Sequence, residues 1–203
     1  MDDLSYFRPP QALEAIQART AELQFDMASE PRTGALLQML AASKPCGRLL
    51  ELGTGTGLAT AWLLSGMDAG SSLISVDTDE EVQAVAREAL CQDTRLKLVT
   101  HDGAAFLWRQ PKKSFDLVFA DAVPGKYEAL DEALAIVKTG GFYVIDDMMP
   151  QLNWPEGHGE KAQALIERLA ADERFVMLPM PWSTGIIVLV RKPPVGIQPE
   201  IKL

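Results

Sequence analysis

An apolar run, Arg48–Leu52, passes directly into Gly53-Thr54-Gly55-Thr56-Gly57, and an apolar helical run, Leu58–Met67, leaves it. Few chains can place three glycines in that position for nothing. Without a Cβ, the backbone can turn sharply between strand and helix and come close to a ligand that a side chain would hold off. The segment therefore predicts a strand–loop–helix unit with a binding loop at the strand's carboxyl end. The spacing is Gly-x-Gly-x-Gly, not the Gly-x-Gly-x-x-Gly of dinucleotide sites, and no Gly-Lys-Ser/Thr follows to make a P-loop. An ordinary glycine-rich turn is the bland alternative.

The flanking sequence repeats the unit. Strand runs are expected at Ser72–Val76, Leu96–Thr100, Phe115–Ala120 and Gly141–Ile145. Helices are expected at Asp79–Leu90, Asp102–Arg109 and Tyr127–Val137. Strands alternating with helices imply βαβ crossovers and a parallel sheet. Two further helices precede them, from Pro10 to about Gln24 and from Thr33 to Ala42. The carboxyl end breaks the rhythm. A Pro/Gly-rich loop, Met148–Gly159, leads to a helix carrying Ala162, Leu165, Ile166 and Leu169. Two runs then follow, Phe175–Leu178 and Ile186–Val190, too closely spaced for a crossover helix and suited to an antiparallel pair. The expected fold is α/β: a Rossmann-like, doubly wound, mostly parallel seven-stranded sheet with one antiparallel strand near the carboxyl end. The chain divides into an amino-terminal helical segment (1–26), a main domain (27–192) and a loose tail (193–203). Trp62 and Trp108, both in helical runs, are expected in the core.

Charge narrows the partners. Nineteen Lys+Arg against 28 Asp+Glu leave −9, which disfavours a partner bound through phosphates, so no nucleic acid is expected. No run of about 20 apolar residues could span a bilayer. Asp2 and Asp3 have the wrong sign for a signal-peptide n-region, and Cys46 and Cys91 make no disulfide framework. A cytoplasmic protein is expected.

Several polar residues fall at strand ends, where an open α/β sheet binds ligands. Asp77 ends the second strand, twenty positions beyond Gly57, where a carboxylate can accept the two ribose hydroxyls of an adenosine; a solvated strand-end Asp is the alternative. His101-Asp102-Gly103 ends the third strand, where a polar group meets an adenine edge. His101 reads as a packed or capping histidine, and Asp102 also suits a helix N-cap. Asp121 follows the fourth strand, and Asp146 and Asp147 follow the fifth. Clustered carboxylates repel and need solvent, protons or a cation, and oxygen ligands of this kind suit Mg²⁺ or Ca²⁺. Substrate-facing acids in a metal-independent enzyme remain the alternative.

On Glu51–Gly57, Asp77, Asp102-Gly103 and Phe115–Asp121, the chain resembles the class I S-adenosylmethionine-dependent methyltransferases. The three acids are similar to those of the cation-dependent O-methyltransferases of the catechol and caffeoyl-coenzyme A type. The resemblance implies S-adenosylmethionine held by Ser29, Glu51, Gly53, Thr54, Gly55, Gly57, Asp77, Thr78, Asp102, Gly103, Ala104 and Asp121. It also implies a divalent cation on Asp121, Asp146 and Asp147, a small hydroxyl acceptor and a homodimer. One departure is explicit. Family members place a Lys three residues after the first metal Asp, and here Pro124 stands there; Lys126, two residues on, can serve catalysis or sit at the surface. His158 is a candidate general base by position, in the Met148–Gly159 loop with Asn153 and Trp154, a loop expected to form a lid or acceptor pocket together with Trp182. Asn-Pro-Pro-Tyr and Asp-Pro-Pro-Tyr are absent, so amino-group methylation of a base is unsupported, and Cys46 lies far from any cytosine-methylating nucleophile. A nitrogen or sulfur acceptor, a non-catalytic cofactor-binding protein and a nicotinamide-dependent oxidoreductase are the competing readings.

Overall fold

The computed structural model describes residues 4–151 and 154–194. Asn153, the amino-terminal Asp2 and Asp3, and the tail from Val195 onward lie outside the described residues.

After a short 3₁₀ turn at Leu4–Tyr6, the elements run α1 (Leu13–Glu22), α2 (Pro31–Ala42), β1 (Arg48–Leu52), α3 (Leu58–Gly66), β2 (Ser72–Asp77), α4 (Glu80–Ala89), β3 (Leu96–Thr100), α5 (Gly103–Trp108), β4 (Phe115–Ala120), α6 (Leu130–Ile136), β5 (Val137–Ile145), α7 (His158–Ala170), β6 (Phe175–Met180) and β7 (Ile186–Arg191). The seven strands form one sheet in the order β3-β2-β1-β4-β5-β7-β6. The first five are parallel. β7 runs antiparallel to both β5 and β6, the single reversal expected near the carboxyl end.

Side-chain alternation divides the core into two layers. In β4, Leu117 and Phe119 point to one face, and Val118 and Ala120 to the other. The first face is covered by α1, α2, α3 and α4, and the second by α5, α6 and α7. Both faces of the central strands are buried, which is why they read as continuous apolar runs. The segment ahead of the main domain adds Leu13 and Ile16 to the first of these layers.

Local chemistry sets the element ends. Pro31 opens α2 at its first turn, where the missing N–H costs nothing. Asp79 caps α4 by accepting from the amides of Glu81 and Val82. Asp102 caps α5 through the Ala105 amide at 2.7 Å.

Two expectations need correction. Trp108 is 64 % exposed, because the six-residue α5 ends with its last side chain beyond the sheet; Trp62 is buried as expected. The helix read from Tyr127 to Val137 begins only at Leu130, and Val137 already belongs to β5. Residues 123–129 instead form a compact turn. In it the Tyr127 amide donates to Val123 O, the Gly125 amide donates to Glu128 O, and Ala129 takes a left-handed conformation. The Pro124-Gly125 pair disfavours a helix start there.

Gly34 shows how tightly α2 meets α3. A Cβ there would stand 2.2 Å from the Trp62 indole. Gly34→Ala is expected to lose about 2–3 kcal/mol in a urea titration, and adding Trp62→Leu should recover part of that loss by removing the ring.

Candidate functional site

The ends of β1, β2 and β4 enclose a cavity of about 420 Å³, within the size range of small-molecule sites. Its walls include Gly53, Thr54, Gly55, Asp77, Thr78, Gly103, Asp121 and Ser29 of the residues expected at the cofactor. Glu51, Gly57, Asp102 and Ala104 do not line it. Phe25, Val82, Val123 and Pro124 do, and the sequence reading missed them. Phe25 follows α1 with no motif to mark it. Val82 could have been found, because it is one turn into the helix that Asp79 caps.

The glycine loop is bound to its neighbours by backbone bonds. The Gly53 amide donates to Val76 O at 2.9 Å. A Cβ on Gly53, whose φ is +97°, would meet Asp121 O at 2.4 Å, so this position requires glycine on two counts. Asp77 turns back to the loop: its Oδ2 accepts the Gly55 amide at 2.8 Å, and its Oδ1 accepts the Asp79 amide at 3.0 Å. Each carboxylate oxygen keeps capacity for a further donor. Thr20 of α1 donates to Thr56 at 2.7 Å and fastens the loop from outside.

Under the loop runs a buried polar chain. Gln83 donates to Thr54, Thr54 bonds Ser75, and Ser75 and Thr60 both donate to Glu51 Oε2. Strand alternation turns Glu51 away from Leu50 and Leu52 and toward α3, so it lies behind the cavity wall. Its Oε1 has no hydrogen-bond partner among the described residues. Burial raises its pKa from 4.5 to about 8, so the carboxyl is mostly protonated at neutral pH.

The three aspartates come together because parallel neighbours end in register. The Asp121 amide donates to Leu52 O at 2.9 Å and the Asp146 amide to Ala120 O at 3.3 Å, which sets the two acids side by side. Asp147, with φ +59°, donates its amide to Asp146 Oδ1 at 2.8 Å. Asp146 Oδ1 also accepts from Thr184. Burial first, then the Asp121 charge, raises Asp146 to about 7; Asp147 is raised by the same causes. Asp121 is engaged on both oxygens. Ser29 donates to Oδ2 at 2.9 Å, and the Lys126 ammonium stands 3.3 Å from Oδ1. Lys126 is thus a buried ion-pair partner, delivered by the 123–129 turn. Among the described residues, no three His, Cys, Asp or Glu side chains are grouped to hold a metal.

His158 opens α7 beside this cluster. Its Nε2 is 3.3 Å from the Tyr127 hydroxyl, and its ring packs edge-on to Tyr127 and tilted against Trp154. Burial, then the charges of Lys126 and Lys161, lowers its pKa, which favours the neutral imidazole. Trp182 donates to Arg32 O, away from this group.

A family profile described as a methyltransferase domain matches residues 50–148. A Mycobacterium sp. (strain KMS) protein named "Putative O-methyltransferase" is 30 % identical over 191 residues, covering 88 % of this chain and 87 % of its own. Two solved structures share the fold. The Bacillus cereus O-methyltransferase in complex with SAH superposes with a TM-score of 0.79 at 20 % identity, over 92 % of this chain and 93 % of that one. The Streptomyces achromogenes O-methyltransferase of tomaymycin synthesis, in complex with SAM, gives 0.78 at 21 %, over 93 % and 92 %.

The Glu51 chain generates a pH prediction. The folded state holds a proton on Glu51 that the unfolded chain releases above about pH 4.5, so the native state binds more protons across the interval up to about pH 8. Stability therefore falls as pH rises through that interval. Glu51→Gln keeps the shape and one acceptor, and thermal unfolding from about pH 5 to about pH 9 should show a flatter decline than wild type.

Proposed function

The chain belongs to the class I S-adenosylmethionine-dependent O-methyltransferases, and on that premise we propose that it methylates a hydroxyl of a small, phenolic acceptor. The observation that carries this reading is the continuity of the site. The glycine-loop cavity runs up to Asp121, and beyond Asp121 stand Lys126, Asp146, Asp147 and, past them, the Tyr127–His158–Trp154 group.

The cavity suits S-adenosylmethionine. Asp77 has acceptor capacity for ribose hydroxyls, Phe25 and Val82 offer apolar contact to a base, and the Gly53–Gly55 backbone permits close approach. Glu51, Gly57, Asp102 and Ala104 serve it from behind: Glu51 and Gly57 through the loop's foundation, Asp102 and Ala104 through the start of α5. When bound, the cosubstrate supplies a sulfonium whose methyl–sulfur bond breaks as a methyl–oxygen bond forms, while the hydroxyl proton passes to a base. The protein's part is to align the two reactants and to receive that proton. Neutral His158 is the proposed base, with Tyr127 orienting its ring. Lys126 is proposed to steady the acceptor oxygen as its negative charge develops. Trp154 and Tyr127 supply flat apolar surface for an aromatic acceptor.

The divalent cation expected on Asp121, Asp146 and Asp147 does not fit this arrangement. Asp121 already faces an ammonium on one oxygen and a hydroxyl donor on the other, and Asp146 Oδ1 accepts two donors. No step here is assigned to a metal. The homodimer and the cytoplasmic setting remain part of this proposal; Cys46 and Cys91, both exposed and unpaired, suit a reducing compartment.

Calorimetry against S-adenosylhomocysteine, S-adenosylmethionine and NAD tests the reading. Binding of the first two and not NAD is expected. Asp77→Ala should weaken S-adenosylhomocysteine about tenfold or more, the loss of charge-assisted hydrogen bonds. A protein that binds NAD alone would be an oxidoreductase. One that binds S-adenosylmethionine yet methylates nothing in a panel of catechols and phenols would be a non-catalytic binder.

A further inference from the structure

We propose that the Lys126 ammonium is the resident cation of the Asp121–Asp146–Asp147 cluster, standing where a divalent ion would otherwise sit, so that this protein transfers methyl groups without a divalent metal. The catalytic half of this inference rests on the O-methyl-transfer reading; the metal-binding half does not.

Four observations carry it. The first is the ion pair. Lys126 Nζ lies 3.3 Å from Asp121 Oδ1, with the two side chains only 7 % and 12 % exposed. An ammonium so placed is withdrawn from solvent and would repel a second cation at the same carboxylate. The second is that two further oxygens of the cluster already accept hydrogen bonds. Ser29 occupies Asp121 Oδ2, and Asp146 Oδ1 accepts from Thr184 and from the Asp147 amide. A hard cation such as Mg²⁺ demands several oxygens in near-octahedral array. Among the described residues the acids are not grouped to supply one.

The third observation is how Lys126 arrives. The Pro124-Gly125 turn is fixed at several points. The Lys126 amide donates to Val123 O, the Gly125 amide donates to Glu128 O, and the buried Tyr143 hydroxyl donates to Gly125 O. Gly125 has φ +88°, and a Cβ there would stand 2.7 Å from Leu52 and 2.8 Å from the Tyr143 oxygen. Only glycine permits this turn to lie so close over β1 and β5. A surface lysine would need no such anchoring. The fourth is the surroundings. Asp147, Tyr127 and His158 all feel the Lys126 charge. One ammonium, paired with Asp121, is therefore within electrostatic reach of both the acids and the proposed acceptor group.

The sequence departure thus acquires a physical meaning. Moving the lysine from position 124 to position 126 lets the turn fold it back onto Asp121.

The test uses the full chain and Mn²⁺ as probe, followed by the free-ion electron paramagnetic resonance signal and by thermal unfolding, with and without S-adenosylhomocysteine. Wild type should leave millimolar Mn²⁺ free and show no rise in melting temperature. Lys126→Met keeps the aliphatic stem and removes the charge; it should gain Mn²⁺ affinity by about tenfold or more and melt higher when the ion is present. Lys126→Arg, which keeps the charge, should behave as wild type. Micromolar Mn²⁺ binding by wild type that disappears in Asp121→Asn would overturn the proposal, and this arm decides even if Lys126→Met fails to fold. A folded Lys126→Met protein that still ignores Mn²⁺ would also overturn it. With an acceptor from the phenol panel, wild-type turnover should be the same in EDTA as in Mg²⁺; loss in EDTA restored by Mg²⁺ refutes it. Failure to bind S-adenosylhomocysteine would instead remove the methyltransferase reading and leave the Mn²⁺ result standing.

Discussion

The parallel hydrogen-bond ladder does not stop where the strands do, and most of the site depends on that. Gly53 donates to Val76 O beyond β1, Asp121 donates to Leu52 O beyond β4, and Asp146 donates to Ala120 O beyond β5. Each bond carries one more residue of a strand in step with its neighbour. The glycine loop is thereby held against Asp121 closely enough that Gly53 cannot carry a side chain. Two carboxylates are also forced abreast. No sequence spacing alone could impose this, because Asp121 and Asp146 come from different crossovers and meet only through register. Both acids must then be reconciled with one another in a partly dry place, and the ladder leaves Lys126, Ser29 and Thr184 to do so.

The foundation beneath the loop is unusual in being polar. Thr54, Ser75, Glu51, Thr60 and Gln83 form a connected chain inside the first core layer, with one carboxylate oxygen left over among the described residues. Apolar side chains of similar volume would pack there more cheaply, since an unmet buried oxygen costs about 1–3 kcal/mol. What the chain provides instead is direction: it fixes the Thr54 hydroxyl, and with it the first turn of the loop. Protonation makes the arrangement tolerable, because a neutral carboxyl suffers much less from burial than an anion. The site is therefore sensitive to pH at a residue that never touches the cavity.

Much of this architecture was readable from residues. The glycine loop, the mostly parallel sheet implied by alternating elements, Asp77 at the end of β2 and the antiparallel return all follow from local signals whose meaning does not depend on distant partners. What was not readable was set by tertiary contact. Periodicity at Tyr127–Val137 fits a helix, yet Tyr143, a residue of β5, anchors Gly125 in a turn and delays the helix to Leu130. Glu51 sits within the motif and looks like a ligand-facing acid, but one-residue alternation along β1 turns it inward. Trp108 carries the apolar bulk of a core residue at the end of a helix too short to keep it covered. Phe25 reaches the cavity because α1 is tied to Thr56, a contact that no pattern near Phe25 announces.

These contacts also divide the labour in the proposed reaction. The cofactor side of the cavity is built from residues fixed by ladder and polar chain, so little of it can move without unfolding β1 or β2. The acceptor side is different. It is framed by the 123–129 turn, the segment that brings Trp154 to His158, and the β6–β7 connection, where Ser183 bonds Glu30 and Thr184 bonds Asp146. Of these, the segment around Trp154 and the β6–β7 connection are loops, which tolerate sequence change better than a central strand does, whereas the 123–129 turn is held in place through Gly125 and Tyr143. In the proposed reaction, acceptor choice is thus separated from cofactor binding, with Asp121 as the residue common to both. It closes the cofactor cavity on one side and, through its ion pair, sets the position of Lys126 on the other.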